Sequence, residues 1–184
     1  MTTIAVVMPH IDGRDALFEE AVHSVEAQTR QPDQFIVEPD PSLTGAAATQ
    51  TRALRRVTSE WIALLGDDDY FFPEHLAILE AHATADVVWP DCQMLGRDDG
   101  YDLCREFEAG ALRENNYIPG GGSLIRTEAA RAVGGWCRPD DPDFHKFEDW
   151  VMWKRLLDIG ASFRHVHAVT WAYRWGPHQT GGQA

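Results

Sequence analysis

Four short apolar runs, at residues 4–8, 35–37, 61–65 and 87–89, are separated by stretches with the periodicity of amphipathic helices. This alternation limits the folds open to the chain more than any other feature. Residues 4–8 (IAVVM) carry no polar side chain and stop at Pro9, as expected of a strand covered on both faces. Over residues 15–28, Leu17, Phe18, Ala21, Val22 and Val25 share one helical face, with Asp12 or Asp15 available as a cap. Residues 46–57 read as a second helix, and Pro73 suits the first turn of a third that runs to about Ala83. Strands and helices alternating in this way predict an α/β fold with a mostly parallel central sheet flanked by helices.

Beyond Pro90 the pattern loosens, with strand character near residues 92–95 only. Gly120, Gly121 and Gly122 then lead into a strand-like 123–126 and a short helix closed by Gly134 and Gly135. Glu148 and Asp149 open a last helix that Gly160 stops, ahead of two strand-like segments at 162–167 and 170–175. No repeat, low-complexity tract or linker interrupts the sequence, so residues 1–184 read as one domain.

Several function classes are disfavoured by composition. The longest apolar runs are far too short to cross a bilayer, and no basic segment followed by a long apolar stretch opens the chain, so a cytoplasmic protein is expected. Cys92, Cys104 and Cys137 are odd in number and form no CxxC pair, which points to buried thiols rather than a disulfide framework or a thiolate zinc site. The formal net charge of −13 weighs against a general nucleic-acid binder, although Arg52, Arg55 and Arg56 cluster as on a solvated helix face. An acidic chain repels phosphate-bearing substrates on average, so such a substrate needs a local cation.

The strongest local signal is WIALLGDDDYFFP, residues 61–73. An apolar strand ends, Gly66 relaxes the turn, and Asp67, Asp68 and Asp69 follow before a proline-started helix. Ligands gather at the carboxyl ends of strands in open α/β sheets. Three adjacent carboxylates repel one another, and a hard divalent cation such as Mg²⁺ or Mn²⁺ holds such a group together. The plain structural alternative is a solvated acidic turn. Glu148 and Asp149 sit where a helix dipole favours acids, so they read either as dipole stabilisers or as a general base kept ionised by that dipole. The glycine run with Ser123 either admits close approach of a phosphate or sugar or is a flexible turn. His165 and His167 alternate on one strand face, and the sequence supplies no further ligand that would make them a zinc site.

Taken in order, these pieces resemble the family 2 glycosyltransferases, which have the GT-A (nucleotide-diphospho-sugar transferase, Rossmann-like) fold. The likeness spans about residues 3–178. It rests on IAVVMP (4–9), AVHSVEAQT (21–29), the 61–76 stretch, residues 121–126 with Gly134, Gly135 and Trp136, and FEDWVMWKR (147–155). The resemblance implies inverting transfer from a nucleotide-sugar donor with a divalent metal, Mn²⁺ or Mg²⁺. By position, Asp68 would bind the metal, with Asp69 and Asp67 beside it and His178 as a further ligand from the tail. Asp149 would be the catalytic base and Glu148 its neighbour. His10 and Ile11 would face the nucleotide base, Glu38 or Asp40 would read its ring N–H, and Gly121, Gly122 and Ser123 would shape the donor-sugar pocket.

This sequence departs from the family pattern at two places. Pro39 stands where an acid is often found, which leaves only a weak preference for a UDP-sugar over a GDP-sugar, and Gly66 takes the first position of the frequent D-x-D-D form. The acceptor stays open among a glycan, a lipid carrier, a small metabolite and a modified nucleic acid. Tryptophans outside the core are candidates for a homodimer surface or an acceptor platform. A metal-dependent nucleotidyltransferase and a non-catalytic nucleotide-sugar binder are the competing readings. The first would need a better phosphate loop than His10-Ile11-Asp12-Gly13-Arg14 provides.

Overall fold

A computed structural model describes residues 2–96, 103–136 and 147–176. Cys137 and His178 lie outside the described residues. Among the described residues, seven strands form one sheet: β1 (Ile4–His10), β2 (Gln34–Pro39), β3 (Trp61–Leu64), β4 (Tyr70–Phe71), β5 (Val87–Leu95), β6 (Leu124–Arg126) and β7 (Phe163–Arg174). Six helices among them cover it: α1 (Asp15–Glu26), α2 (Ala46–Leu54), α3 (His75–Ala81), α4 (Ala109–Glu114), α5 (Thr127–Ala132) and α6 (Glu148–Asp158).

Side-chain alternation along the strands feeds two cores. Ile4, Val6 and Met8 of β1 and Trp61 and Ala63 of β3 pack on one face with Ala21 and Val25 of α1 and Leu76 and Leu79 of α3. Ala5 and Val7, with Ile62 and Leu64, turn to the other face and meet Ala53 and Leu54 of α2 and Met152, Trp153 and Leu156 of α6. A strand with helices on both sides has no solvated face, which is why the first run carries no polar residue. Five of the seven tryptophans, Trp61, Trp89, Trp136, Trp153 and Trp171, are fully buried, so core packing accounts for most of them.

The expected mostly parallel sheet is instead mixed. In the order β2-β1-β3-β6-β5-β7-β4, the pairs β1–β2, β1–β3 and β5–β7 are parallel, whereas β3–β6, β5–β6 and β4–β7 are antiparallel. An apolar strand buried on both faces satisfies its hydrogen bonds with a neighbour of either direction, so periodicity alone does not fix it. The expected break at Pro90 is also absent. β5 runs through it, with register shifts on both sides of Asp91 against β7, because a proline without an N–H is tolerated at a bulge. The two segments expected at 162–167 and 170–175 are correspondingly one strand, β7.

The α1 helix starts without a side-chain cap, so neither Asp12 nor Asp15 serves as one. Gly134 and Gly135 end α5 as expected, at φ 83° and 81°, with Gly135 N–H donating to Ala130 O at 2.9 Å.

The turn into β6 packs tightly against Trp171. Gly122 has φ 71°, and a Cβ there would lie 2.3 Å from the ring of the fully buried Trp171. Gly122→Ala therefore combines left-handed strain with overpacking, and we expect it to cost about 2–5 kcal/mol. Urea unfolding measures this, and an unchanged midpoint would mean that Trp171 is not fixed against the turn.

Candidate active site

The carboxyl ends of β1 and β3, the loop after β2, the 119–121 turn and the start of α6 open onto one cavity of about 480 Å³. The acidic turn after β3 forms its floor. Asp67 is buried, and its carboxylate is fully engaged: Oδ2 accepts from Ile11 N at 2.9 Å and lies 3.0 Å from His10 Nδ1, while Oδ1 accepts from Arg14 Nη1 at 2.7 Å. The same guanidinium nitrogen reaches Asp68 Oδ2 at 3.2 Å. Arg14 thus supplies a positive charge within an otherwise acidic wall.

Asp68 and Asp69 converge above Gly66. A Cβ on Gly66 would stand 2.9 Å from Asp68 Oδ1 and 3.2 Å from Asp69 Oδ2, so glycine is required for the two carboxylates to share that space. Asp69 Oδ1 accepts from Arg174 N of β7 at 2.7 Å. Burial and the neighbouring Asp68 charge push the Asp69 carboxyl well above the ordinary carboxylate range. Crowded hard oxygens whose charges repel one another fit a small divalent cation such as Mg²⁺ or Mn²⁺.

Opposite this floor, two indoles pin the start of α6. Trp150 Nε1 donates to Leu112 O at 2.6 Å and Trp153 Nε1 to Ile118 O at 2.9 Å. The helix is thereby tied to the segment that carries Asn116 and the glycine turn. Asp149 Oδ1 accepts from Asn116 Nδ2 at 3.0 Å and from Trp150 N at 2.7 Å, and Oδ2 accepts from Gly120 N at 3.1 Å. Gly120 has no room for a larger residue, since a Cβ would lie 3.1 Å from Asp149 Cβ.

The sequence-based expectation of a dipole-depressed acid at Asp149 is reversed. Burial pushes its carboxyl upward despite these three donors. Burial, with the adjacent Asp149, raises Glu148 to about 7. A helix end contributes typically 0.3–1 kcal/mol, roughly half a pKa unit, and complete burial shifts a carboxyl by up to about 3–5 units, so even the partial burial of these two half-buried side chains outweighs the dipole.

The stability consequence has a definite sign. Glu148, Asp149 and Asp69 bind protons more tightly when folded than when unfolded, so their stabilisation is present at low pH and lost as pH rises through the folded values. The metal-free protein is expected to melt higher near pH 5 than near pH 8, and Glu148→Gln to flatten the slope around pH 7. A melting temperature that climbs across this window would contradict the assigned burial.

Of the residues singled out from sequence, His10, Ile11, Asp40, Asp67, Asp68, Asp69, Gly121, Glu148 and Asp149 line the cavity. Glu38, Gly122 and Ser123 are not among its lining residues. Glu38 pairs with Arg52 at 3.3 Å and Arg56 at 2.8 Å, at a face where Arg55 and Arg56 are exposed, as expected of a solvated cluster. Ser123 is fully buried and donates to Pro119 O at 2.6 Å, a turn-closing role. Asp40 accepts from Thr44 N, Thr44 Oγ1 and Gly45 N at 2.9, 2.6 and 2.7 Å. Burial opposes its ionisation, yet those donors and nearby Arg52 hold the carboxyl below its usual range.

Sequence reasoning missed Arg14, Asn116, Leu43, Tyr173 and Trp175, which also line the cavity. Arg14 had a signal, as the one cation in the loop after β1. Asn116 had none, because its partner is 33 residues away.

No protein-family model matches the chain, and no curated protein matches it significantly. Solved structures do match. S. aureus TarS in complex with UDP-GlcNAc superposes with a TM-score of 0.70 at 14% identity, over 100% of this chain and 61% of that one. TarS with UDP gives 0.69 at 15% identity, over 96% and 61%. The mannosyltransferase PcManGT from Pyrobaculum calidifontis, in complex with GDP-Man and Mn²⁺, gives 0.68 at 15% identity, over 96% and 58%. At such identities the likeness is one of fold. The fold is one that solved glycosyltransferases use, as the sequence resemblance implied, and this chain spans about three fifths of their length or less.

Proposed function

We propose that the chain is a GT-A-type glycosyltransferase domain that moves a sugar from a nucleotide-diphosphate donor, with UDP favoured, to an acceptor hydroxyl with inversion. One observation carries the reading. A single cavity is lined both by Asp67, Asp68, Asp69 and Arg14 and by a carboxylate, Asp149, fixed by three N–H donors.

Asp68 and Asp69 would hold the divalent cation, which supplies positive charge against the diphosphate leaving group. Arg14 is placed to release one of its carboxylate contacts and meet the same phosphates. Asp149 accepts the proton of the attacking hydroxyl while the new oxygen–carbon bond forms at the anomeric centre. The bond from that carbon to the phosphate oxygen breaks, and the nucleoside diphosphate departs with its electron pair. A base whose pKa is raised toward the working pH takes up a proton more effectively than an ordinary aspartate.

Asp40, locked by Thr44 and Gly45, acts on the nucleotide through the shape of the loop that carries exposed Leu43. A panel of UDP- and GDP-sugars incubated with Mn²⁺, scored for release of free nucleotide, tests the proposal. Metal-dependent release from at least one donor is expected. Nucleotide binding without release from any donor, with a range of acceptor hydroxyls supplied, would point to the non-catalytic binder.

A further inference from the structure

A second group of metal-ligating side chains lies on the β5–β7 pair. Asp91, His165 and His167 place one ligand atom each within 4.8 Å of one another. His165 Nε2 lies 2.8 Å from Asp91 Oδ1, and His167 Nε2 bonds to the carboxylate of Glu106. None of these four residues lines the cavity of the candidate active site.

The strand geometry explains how they meet. On a regular strand, residues 165 and 167 share a face but stand about 6.6 Å apart. Here the ladder steps from Pro90↔Val166 to Asp91↔Val169, so two extra residues of β7, His167 and Ala168, are bulged out opposite one step of β5. The two imidazole centroids consequently lie 4.5 Å apart, edge to face. Bulges re-aim side chains in this manner and recur beside functional sites.

Burial is graded across the group. His165 is 3% exposed and stacked on Trp89, which holds the floor of the cradle rigid. Asp91 is partly buried, and His167 and Glu106 are exposed at 67% and 73%, so the rim is open to an entering ion and free to adjust.

We propose that Asp91, His165 and His167, with Glu106 hydrogen-bonded to His167 at the rim, form a binding site for a divalent transition-metal cation of the zinc or cobalt type. Two imidazoles and a carboxylate, with water or the rim carboxylate completing the shell, suit such borderline ions, whereas the all-carboxylate floor of the cavity suits Mg²⁺ or Mn²⁺. The two sites therefore select different metals. Glu106 is three residues from Leu103, which lines the cavity, so an ion here pins the segment leading to that wall.

Titration with Co²⁺ in the presence of excess Mg²⁺ tests this, because cobalt held by nitrogen and oxygen in a tetrahedral site gives intense visible absorption. The wild-type chain is expected to bind one equivalent with that spectrum and to melt at a higher temperature when loaded. His167→Ala and Asp91→Asn alter exposed or partly buried groups and leave the Trp89 stack intact. Each is expected to weaken Co²⁺ binding by at least about tenfold, while Asp68→Asn leaves it unchanged. Circular dichroism confirms that each variant is folded. Absence of a tetrahedral cobalt spectrum in the wild type, equal binding in both cradle variants, or loss of binding in Asp68→Asn would each overturn the site.

Discussion

Asp149→Asn is expected to lower sugar transfer by about 10²–10⁴-fold while donor affinity stays close to the wild-type value. The amide keeps the shape of the carboxylate and loses its basicity. Asp149 stands at the first turn of α6, a helix anchored through Trp150 and Trp153, so its position is set by a rigid element. The substitution also has a structural side. Three N–H donors converge on the carboxylate, and an amide can accept only through its oxygen, so a hydrogen bond worth about 0.5–1.5 kcal/mol is at risk. Removal of one of two adjacent half-buried acids works in the opposite direction, since Glu148 no longer faces a like charge. Stability alone therefore does not decide the role of Asp149, and turnover per folded molecule does. Melting temperature and single-turnover transfer should be measured on the same preparation. A variant that melts early yet transfers at the wild-type rate would reduce Asp149 to a clamp for the glycine turn.

The second large effect is expected at the acidic floor. Asp68→Asn should weaken metal-dependent donor binding by at least about 10–100-fold, the loss found when only the groups supporting a metal's ligands are altered. The fold should survive, and the metal-free protein should be as stable or more so. Asp69 is held above its usual range by burial and by the Asp68 charge, and neutralising Asp68 relieves that repulsion. Arg14 keeps its contact to Asp67 Oδ1 at 2.7 Å. Calorimetry with Mn²⁺ and UDP measures the first effect and thermal unfolding the second. Unchanged Mn²⁺-dependent affinity would remove Asp68 from the metal site.

How far the sequence reading reached follows from which interactions are local. β1 was legible because five consecutive apolar residues admit one environment, a strand covered on both faces. The acidic turn and the start of α6 were legible because each couples a carboxylate cluster to an element end within a few residues. β5 was read as two pieces, 87–89 and 92–95, because proline usually ends a strand, and the bulge that accommodates Pro90 depends on β7, more than 70 residues later. The antiparallel course of β6 is fixed by a turn under Trp171, again a distant partner. Glu38 looked available for a nucleotide until Arg52 of α2 and Arg56 just beyond its end were found against it. The ionisation of Asp149 was misjudged for a related reason. The dipole is visible in the sequence, whereas the burial that outweighs it is assembled from residues 112–120 and the body of α6.

In the proposed reaction a nucleotide diphosphate lies between Asp68 and Asp149. A crystal soaked with UDP and Mn²⁺, with a parallel GDP soak, tests that most directly when data are collected at a wavelength where manganese scatters anomalously. One strong manganese peak beside the Asp68 and Asp69 carboxylates is expected, with the diphosphate bound next to it and Arg14 turned toward the phosphates. Nucleotide bound outside this cavity, or manganese only at the His165–His167 cradle, would contradict it.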